Sequence, residues 1–109
     1  RLALRGAVVF HLYSVLVGLA RQAAKNYQVA GYEDLISLAA LEQAFQRAEV
    51  RAQEIQVLAS ARADRADLVF WLDQDPYAPL AYGDLERLEQ AARRVEELIE
   101  HCGAYMEEW

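Results

Sequence analysis

The chain places apolar residues at the spacing of an α-helix along most of its length. Residues 7–20, AVVFHLYSVLVGLA, form an apolar run in which only His11 can carry charge, and Arg5 and Arg21 close it at its two ends. Its apolar side chains point to nearly every side, which predicts a first helix that is hydrophobic almost all round and lies at the centre of the fold. The run falls short of the roughly 20 apolar residues that a bilayer span needs, so we expect no membrane partner.

The next stretch predicts a second, longer helix. Gly31 is a stop signal for the first helix, and residues 32–34 (YED) are predicted to open the next one, because acids are favoured at a helix N-terminus. From there apolar residues step by three and four over three heptads, which predicts one helix of about 25 residues that could break near Arg47. The positions of this stripe are Leu38, Leu41, Phe45, Ala48, Ala52, Ile55 and Ala59.

Two further helices complete the pattern. The third is predicted to begin near Asp64 as its N-cap and to end before Pro76, because proline disfavours helical geometry at the residue before it. After the loop DQDPYAP, the last helix carries apolar residues at steps of three or four. These are Leu85, Leu88, Ala92, Val95, Ile99, Cys102, Met106 and Trp109.

No strand pattern interrupts these helices in the sequence. The chain therefore predicts an all-α antiparallel bundle of about four helices, with a central hydrophobic first helix, and residues 1–109 as a single domain. The chain begins with Arg1 rather than Met, and we expect an N-terminal segment to precede it.

Composition and charge narrow the class of protein. The 109 residues are 55% hydrophobic and 26% charged, which is typical of a folded protein. Residues 1–30 hold four basic side chains and no acid, whereas the whole chain has a net charge of -6, so we expect the first helix to pair with acidic segments. The acidic pI, near 4.8, disfavours nucleic acid as a partner because phosphate contacts need a clustered basic face.

Cysteine and histidine usage argue against a disulfide framework and a metal site. Cys102 is the single cysteine of the chain, and no signal-peptide cleavage site is recognisable, so we predict a cytoplasmic protein. His101 and Cys102 are adjacent, hence splayed about 100° apart on a helix and poor joint ligands for one metal. We therefore expect no metal and no cofactor.

Two segments carry a resemblance to a known family. The stretch RGAVVFHLYSVLVGLARQAAKNYQV and the later segment WLDQDPYAPL are similar to an uncharacterised family of short all-helical proteins from Pseudomonas and related gammaproteobacteria. The resemblance covers about two thirds of the chain and implies an additional helix upstream of residue 1. It implies no catalytic residue, cofactor or substrate.

A second resemblance raises an enzymatic alternative. The stretch RGAVVFHLY, with Arg5, His11 and Tyr13, resembles the active-site motif of HEPN helical domains, many of which are metal-independent ribonucleases. The resemblance implies that His11 acts as acid or base and that Arg5 steadies the phosphate. However, six residues on a straight helix separate these side chains by about 240°. We interpret His11 first as a core histidine hydrogen-bonded to a carbonyl or a Tyr hydroxyl.

Aromatic residues near the proline loop and the end of the last helix form the candidate partner-binding surface. The rings near the loop either cap one end of the bundle or anchor a partner. The apolar end of the last helix suits a homodimer about a twofold axis, in which Arg93 or Arg94 would approach Glu107 and Glu108 of the other subunit. The candidate residues are Phe70, Trp71, Tyr77, Tyr82, Met106 and Trp109.

The function that these patterns favour is that of a bacterial, non-enzymatic interaction or adaptor protein. It would bind a protein partner or a second copy of itself. The alternative is a HEPN-like metal-independent ribonuclease that uses Arg5 and His11.

Overall fold

The computed structural model describes residues 2–77 and 83–106, with side chains for 8–77 and 83–103. Every regular element in these residues is helical, which confirms the all-α class. The described residues form five α-helices rather than four, because the predicted second helix is broken in two. The elements are α1 (Leu2–Asn26), a 3₁₀ turn (Tyr32–Asp34), α2 (Leu38–Arg47), α3 (Gln53–Ala63), α4 (Leu68–Gln74) and α5 (Asp84–Met106).

Helix α1 lies at the centre of the fold and packs against each of the other four helices. Its buried side chains follow one helical face, which includes Val9, Leu16 and Ala20. Its other side is exposed and mixes apolar side chains with polar and small ones, so α1 carries apolar residues on several sides but buries only one face. Among the described side chains, the exposed residues of α1 are Val8, Phe10, His11, Ser14, Gly18, Gln22 and Lys25.

Helices α1 and α2 end in the same hydrogen-bonded arrangement without glycine. After α2, Glu49 adopts φ 57°, Val50 N–H donates to the carbonyl of Phe45 at 3.0 Å, and Glu49 N–H donates to that of Gln46 at 3.1 Å. This is a Schellman motif. After α1, Gln28 takes the same left-handed position with φ 59°. Helix α1 therefore stops before Gly31, and Gly31 instead precedes the 3₁₀ turn.

The break between α2 and α3 resets the apolar register. Helix α2 does not open at residues 32–34: Ser37 is its N-cap, and the Ser37 hydroxyl accepts a hydrogen bond from Ala40 N–H at 3.2 Å. Ala48, predicted on the buried stripe, is exposed beside the break, whereas Ala52 is buried as the N-cap of α3. Leu58 then joins the core, so the two helices do not share one continuous stripe.

Asp67, rather than Asp64, is the N-cap of helix α4. The Asp67 carboxylate accepts a hydrogen bond from Val69 N–H at 2.9 Å, whereas Asp64 is the residue that ends α3. Helix α4 ends at Gln74, and Asp75 is extended before Pro76, as predicted from the proline.

Helix α5 buries a stripe shifted from the predicted one. Leu88, Val95 and Cys102 are buried as expected, but Leu85 and Ile99 are exposed. Ala91 and Leu98, which were not on the predicted stripe, are buried instead. The buried face follows the heptad steps 88, 91, 95, 98 and 102.

Candidate functional site

A chain of polar contacts holds four helices in position beneath one surface of the protein. The Tyr13 hydroxyl of α1 donates to Asp73 Oδ1 of α4 at 3.1 Å and accepts a hydrogen bond from Leu38 N–H, the first residue of α2, at 3.1 Å. Burial is the largest cause that raises the pKa of Tyr13, and the nearby Asp73 charge adds to it. Tyr13 is therefore a neutral, structural residue at ordinary pH.

Arg62 of α3 extends this chain of contacts. Its guanidinium binds the Glu42 carboxylate of α2 through two hydrogen bonds and lies 3.6 Å from Asp73 Oδ2. The hydrogen bond that Arg62 donates to the Glu42 carboxylate is the largest cause that raises the pKa of Arg62. All three charged side chains are largely covered, so these helices hold their relative places through matched charges.

Above these contacts lies a groove of about 560 Å³ between α1, the segment that leads into α2, and the end of α4. Arg21 donates to the carbonyl of Glu33 at 2.6 Å, and Tyr13 binds Leu38 N–H. The segment from 33 to 38 therefore runs antiparallel to α1 and forms the second wall. The residues that line the groove are Phe10, Tyr13, Ser14, Val17, Gly18, Arg21, Ile36, Ser37, Ala39, Asp73, Pro76 and Tyr77.

Large apolar side chains stand exposed around this groove. Ile36 is 74% exposed, Tyr77 is 71% exposed, and Phe10 is 41% exposed. The rings of Phe10 and Tyr77 lie against each other with centroids 5.0 Å apart. Exposed apolar side chains that cluster around a concave surface are typical of an interaction site.

The α1 side of the groove contains two small residues between larger ones. Ser14 and Gly18 are exposed and lie one turn apart. A Cβ at Gly18 would meet no atom within 4 Å, so the space beside it is open. The charged side chains among the lining residues are Asp73 toward one end and Arg21 toward the other.

A buried carboxylate lies away from the groove, at the start of α3. Glu54 is 0% exposed; the Tyr27 hydroxyl donates to its Oε1 at 3.4 Å, and its Oε2 has no hydrogen-bond partner. Its place in the first turn of α3 puts it at the positive end of the helix dipole. Burial, and secondly the charge of Glu54, raises the pKa of the Cys102 thiol to about 11. Neither group reaches solvent, so this pair offers no access to a substrate.

The candidate aromatic residues are placed in different surroundings. Trp71 is half-buried against the core, with the Arg87 guanidinium 5.4 Å from its ring centroid, and Phe70 is half-buried. Tyr77 stands at the groove, where it meets Phe10. Tyr82, Trp109 and the side chain of Met106 lie outside the described residues.

Two expectations about charged and polar side chains need correction. His11 is exposed rather than a core histidine, because it falls on the outer face of α1. Arg94, which was expected to approach Glu107 and Glu108 of another subunit, instead forms ion pairs within its own chain. It binds Asp67 at 2.9 Å and Glu97 at 3.2 Å. The side chain of Arg5 lies outside the described side chains, so the pair Arg5 and His11 stays a prediction.

Sequence reasoning missed most of the groove. Phe10, Ser14 and Gly18 belong to the apolar run, and their spacing of four residues puts them on one side of a helix, but the run was predicted only as a central helix, without an exposed face. Ile36 gave no signal, because its exposure depends on how the segment after the 3₁₀ turn returns along α1. Within the described residues, no three His, Cys, Asp or Glu side chains are grouped as metal ligands.

Comparisons with known proteins give no further lead. No protein family matches the chain, and neither a curated protein nor a solved structure matches it significantly. None of the helices in the described part of the chain has the length and apolar character required to cross a bilayer.

Proposed function

We propose that the chain is a non-enzymatic interaction module that binds the apolar face of a protein helix in the α1 groove. The observation that supports this most is the exposure of Phe10, Ile36 and Tyr77 around a groove whose lining includes the small residues Ser14 and Gly18. Leaving three large apolar side chains in water is unfavourable, and covering them gives a partner binding energy.

The dimensions of the groove suit a short helix. Its α1 side runs from Phe10 to Arg21, which at 1.5 Å per residue is about 16 Å, or three helical turns. Ser14 and Gly18 carry almost no side-chain bulk there, so a partner backbone can approach α1 closely. Apolar residues at i, i+3, i+4 and i+7 of the partner would meet the aromatic rings and Ile36.

A peptide selection tests this proposal. Single chains are immobilised so sparsely that two copies cannot meet, and a library of 12-residue helical peptides is passed over them. We expect enrichment of peptides with one apolar face. The variant Gly18→Leu should lose these peptides, because leucine fills the open space without disturbing the core.

Gly103→Leu is the matched control. Gly103 is also helical, and a Cβ there also meets no atom within 4 Å, but it lies on α5, away from the groove. This variant should keep the selected peptides. Failure to enrich any peptide, or enrichment that Gly18→Leu leaves unchanged, would contradict the proposed groove function.

The ribonuclease remains the second candidate, because His11 is exposed and available to a substrate. Tyr13, the third residue of that motif, is buried and bound to Asp73, so it cannot take part. Metal-independent RNA cleavage that is lost in His11→Ala, with helicity unchanged, would favour this candidate over the interaction module.

A cytoplasmic location and a bacterial origin in the family of unknown function complete the proposal. They are supported by the apolar run 7–20, which is too short for a bilayer, and by the quoted sequence resemblance.

A further inference from the structure

The exposed rings at one end of the groove form a surface that attracts positive charge. Phe10 and Tyr77 lie with ring centroids 5.0 Å apart, and both rings are exposed. The face of an aromatic ring carries partial negative charge and binds the ammonium of lysine or the guanidinium of arginine. The chain makes one such contact within itself, where the Arg87 guanidinium lies 5.4 Å from the centroid of the Trp71 ring. A basic side chain of a partner can bind Phe10 and Tyr77 in the same way.

The same end of the groove carries a carboxylate that has no basic partner among the described side chains. Asp75 is exposed, and its Oδ1 accepts a hydrogen bond from Tyr77 N–H at 3.1 Å, which holds the carboxylate close to Tyr77. Because the donor is a neutral amide, the negative charge of Asp75 is left in place. Its second oxygen is available to accept a hydrogen bond from a partner.

The polar contacts beneath this end add to the negative charge. Asp73 lines the groove and is paired with Arg62, which also binds Glu42. Two carboxylates and one guanidinium together leave one negative charge. The pairing of Asp73 therefore supplies no positive charge that could cancel Asp75.

The opposite end of the groove is electrically balanced. Arg21 and Lys25 supply two positive charges there, and the exposed Glu33 and Asp34 of the 3₁₀ turn supply two negative ones. The hydrogen bond from Arg21 to the carbonyl of Glu33 keeps these groups together. Among the described side chains, the unbalanced charge of the groove is therefore negative and lies at the end with Phe10 and Tyr77.

We infer that the helix that binds in the groove is basic, and that one of its lysine or arginine side chains lies over Phe10 and Tyr77 with its charge next to Asp75. The inference rests on the proposed function and names the chemistry of its partner. The alkyl stem of this side chain extends the apolar face of the helix along the rings, while its charged end stays in contact with water. The net charge of -6 also attracts a basic partner toward the chain.

Fluorescence anisotropy with the peptides selected by the groove tests this inference. We expect these peptides to carry lysine or arginine beside their apolar face, and replacement of that residue by glutamine to weaken binding about three- to tenfold. Asp75→Asn should weaken binding of the unchanged peptide by a similar factor. The two changes together should weaken binding no more than either alone, because both remove the same contact.

Asp64→Asn is the matched control. Asp64 is also exposed, and its carboxylate also accepts a hydrogen bond from the N–H two residues further on, that of Ala66, at 2.9 Å. It lies at the end of α3 and does not line the groove. Both asparagine variants remove one negative charge, and asparagine can form the same local turn. Asp64→Asn should bind the peptides as the wild type does, and far-UV circular dichroism checks that both variants stay helical.

The remaining outcomes separate this inference from the proposed function. Selected peptides that lack a basic residue, or that bind Asp75→Asn and Asp64→Asn equally well, would overturn the inference. The proposed function would still stand in that case if Gly18→Leu loses the peptides. Failure to select any peptide would contradict the proposed function, and the inference with it.

Discussion

At the scale of single residues, burial of the Cys102 thiol links stability to alkaline pH. Its pKa is about 11 in the folded chain, against 9.0 for an unburied thiol, so the folded state holds its proton where the unfolded state releases it. The contribution of the protonated Cys102 thiol to the free energy of unfolding is therefore fully present below pH 9 and is lost as the pH rises from 9 through about 11. At 1.36 kcal/mol per pKa unit, it amounts to roughly 2 to 3 kcal/mol.

Urea unfolding at pH 8 and pH 10.5 measures this effect. We expect the wild type to lose more free energy of unfolding between these two values than Cys102→Ala does. The alanine variant is less stable at both pH values because of its cavity, so only the difference between the pH values is compared. Equal losses in the two proteins would contradict the prediction.

Residue placement shows what the apolar pattern alone could not decide. His11 sits in the run 7–20, and nothing in that run distinguishes its buried positions from its exposed ones. The answer depends on where α2, α4 and α5 pack around α1, which is a property of the assembled fold. Glu54 was missed for the same reason, because it becomes buried only when the break before α3 turns the helix inward.

At the scale of elements, the turn after α2 carries a conformational cost that a substitution can remove. Glu49 has φ 57°, a left-handed conformation that costs a non-glycine residue about 1–2 kcal/mol. Glu49→Gly should raise the free energy of unfolding by about 0.5–1 kcal/mol, after the larger chain entropy of glycine is subtracted. Thermal unfolding followed by circular dichroism measures the change.

The neighbouring residue provides the control for this turn. Ala48 is exposed and has φ -78°, which any residue adopts, so Ala48→Gly should destabilise the protein. If both glycine variants shift the melting temperature in the same direction, the conformation of Glu49 is not the cause.

The sequence was enough to predict that the helices exist, but it was less informative about where they end and which of their faces are buried. Pro76 ended α4 as expected because proline acts through local geometry. The ends of α1 and α2 gave no such signal, since Gln28 and Glu49 stand where glycine is usual. In α5, apolar residues occupy two overlapping stripes that share positions 88, 95 and 102, and only packing against the other helices selects Ala91 and Leu98.

At the scale of the whole molecule, Tyr13 joins α1, α2 and α4 through one hydroxyl. Tyr13→Phe removes the hydrogen bond to Asp73 and leaves Leu38 N–H without its acceptor, so we expect a loss of about 1–3 kcal/mol. The aromatic ring that lines the groove is kept. Urea unfolding should report the loss, while binding of the selected groove peptides at low temperature stays within a few-fold of wild type.

The same variant distinguishes a structural Tyr13 from one that contacts a partner. Burial raises the pKa of Tyr13, so its stabilising effect is present below pH 10 and fades as the pH rises through the higher folded-state pKa. Tyr13→Phe should therefore show a shallower loss of stability above pH 10 than the wild type. An unchanged alkaline profile together with lost peptide binding would contradict the structural role.

The groove itself could be predicted only in part, because it is built from segments distant in sequence. Tyr77 was identified from its place beside Pro76, and it does stand at the groove with Phe10. The wall that contains Ile36 arises from two tertiary hydrogen bonds, those of Arg21 and Tyr13, which no local pattern encodes.

The packing of α1 against α5 has a consequence during synthesis on the ribosome. The residues between Asn26 and Asp84 take roughly 3 to 12 s to be translated, and α5 is completed later still. Throughout that interval, the apolar face of α1 that α5 will cover is available to chaperones and to other nascent chains. Synthesis order therefore makes α1 the part of this molecule most in need of protection before folding finishes.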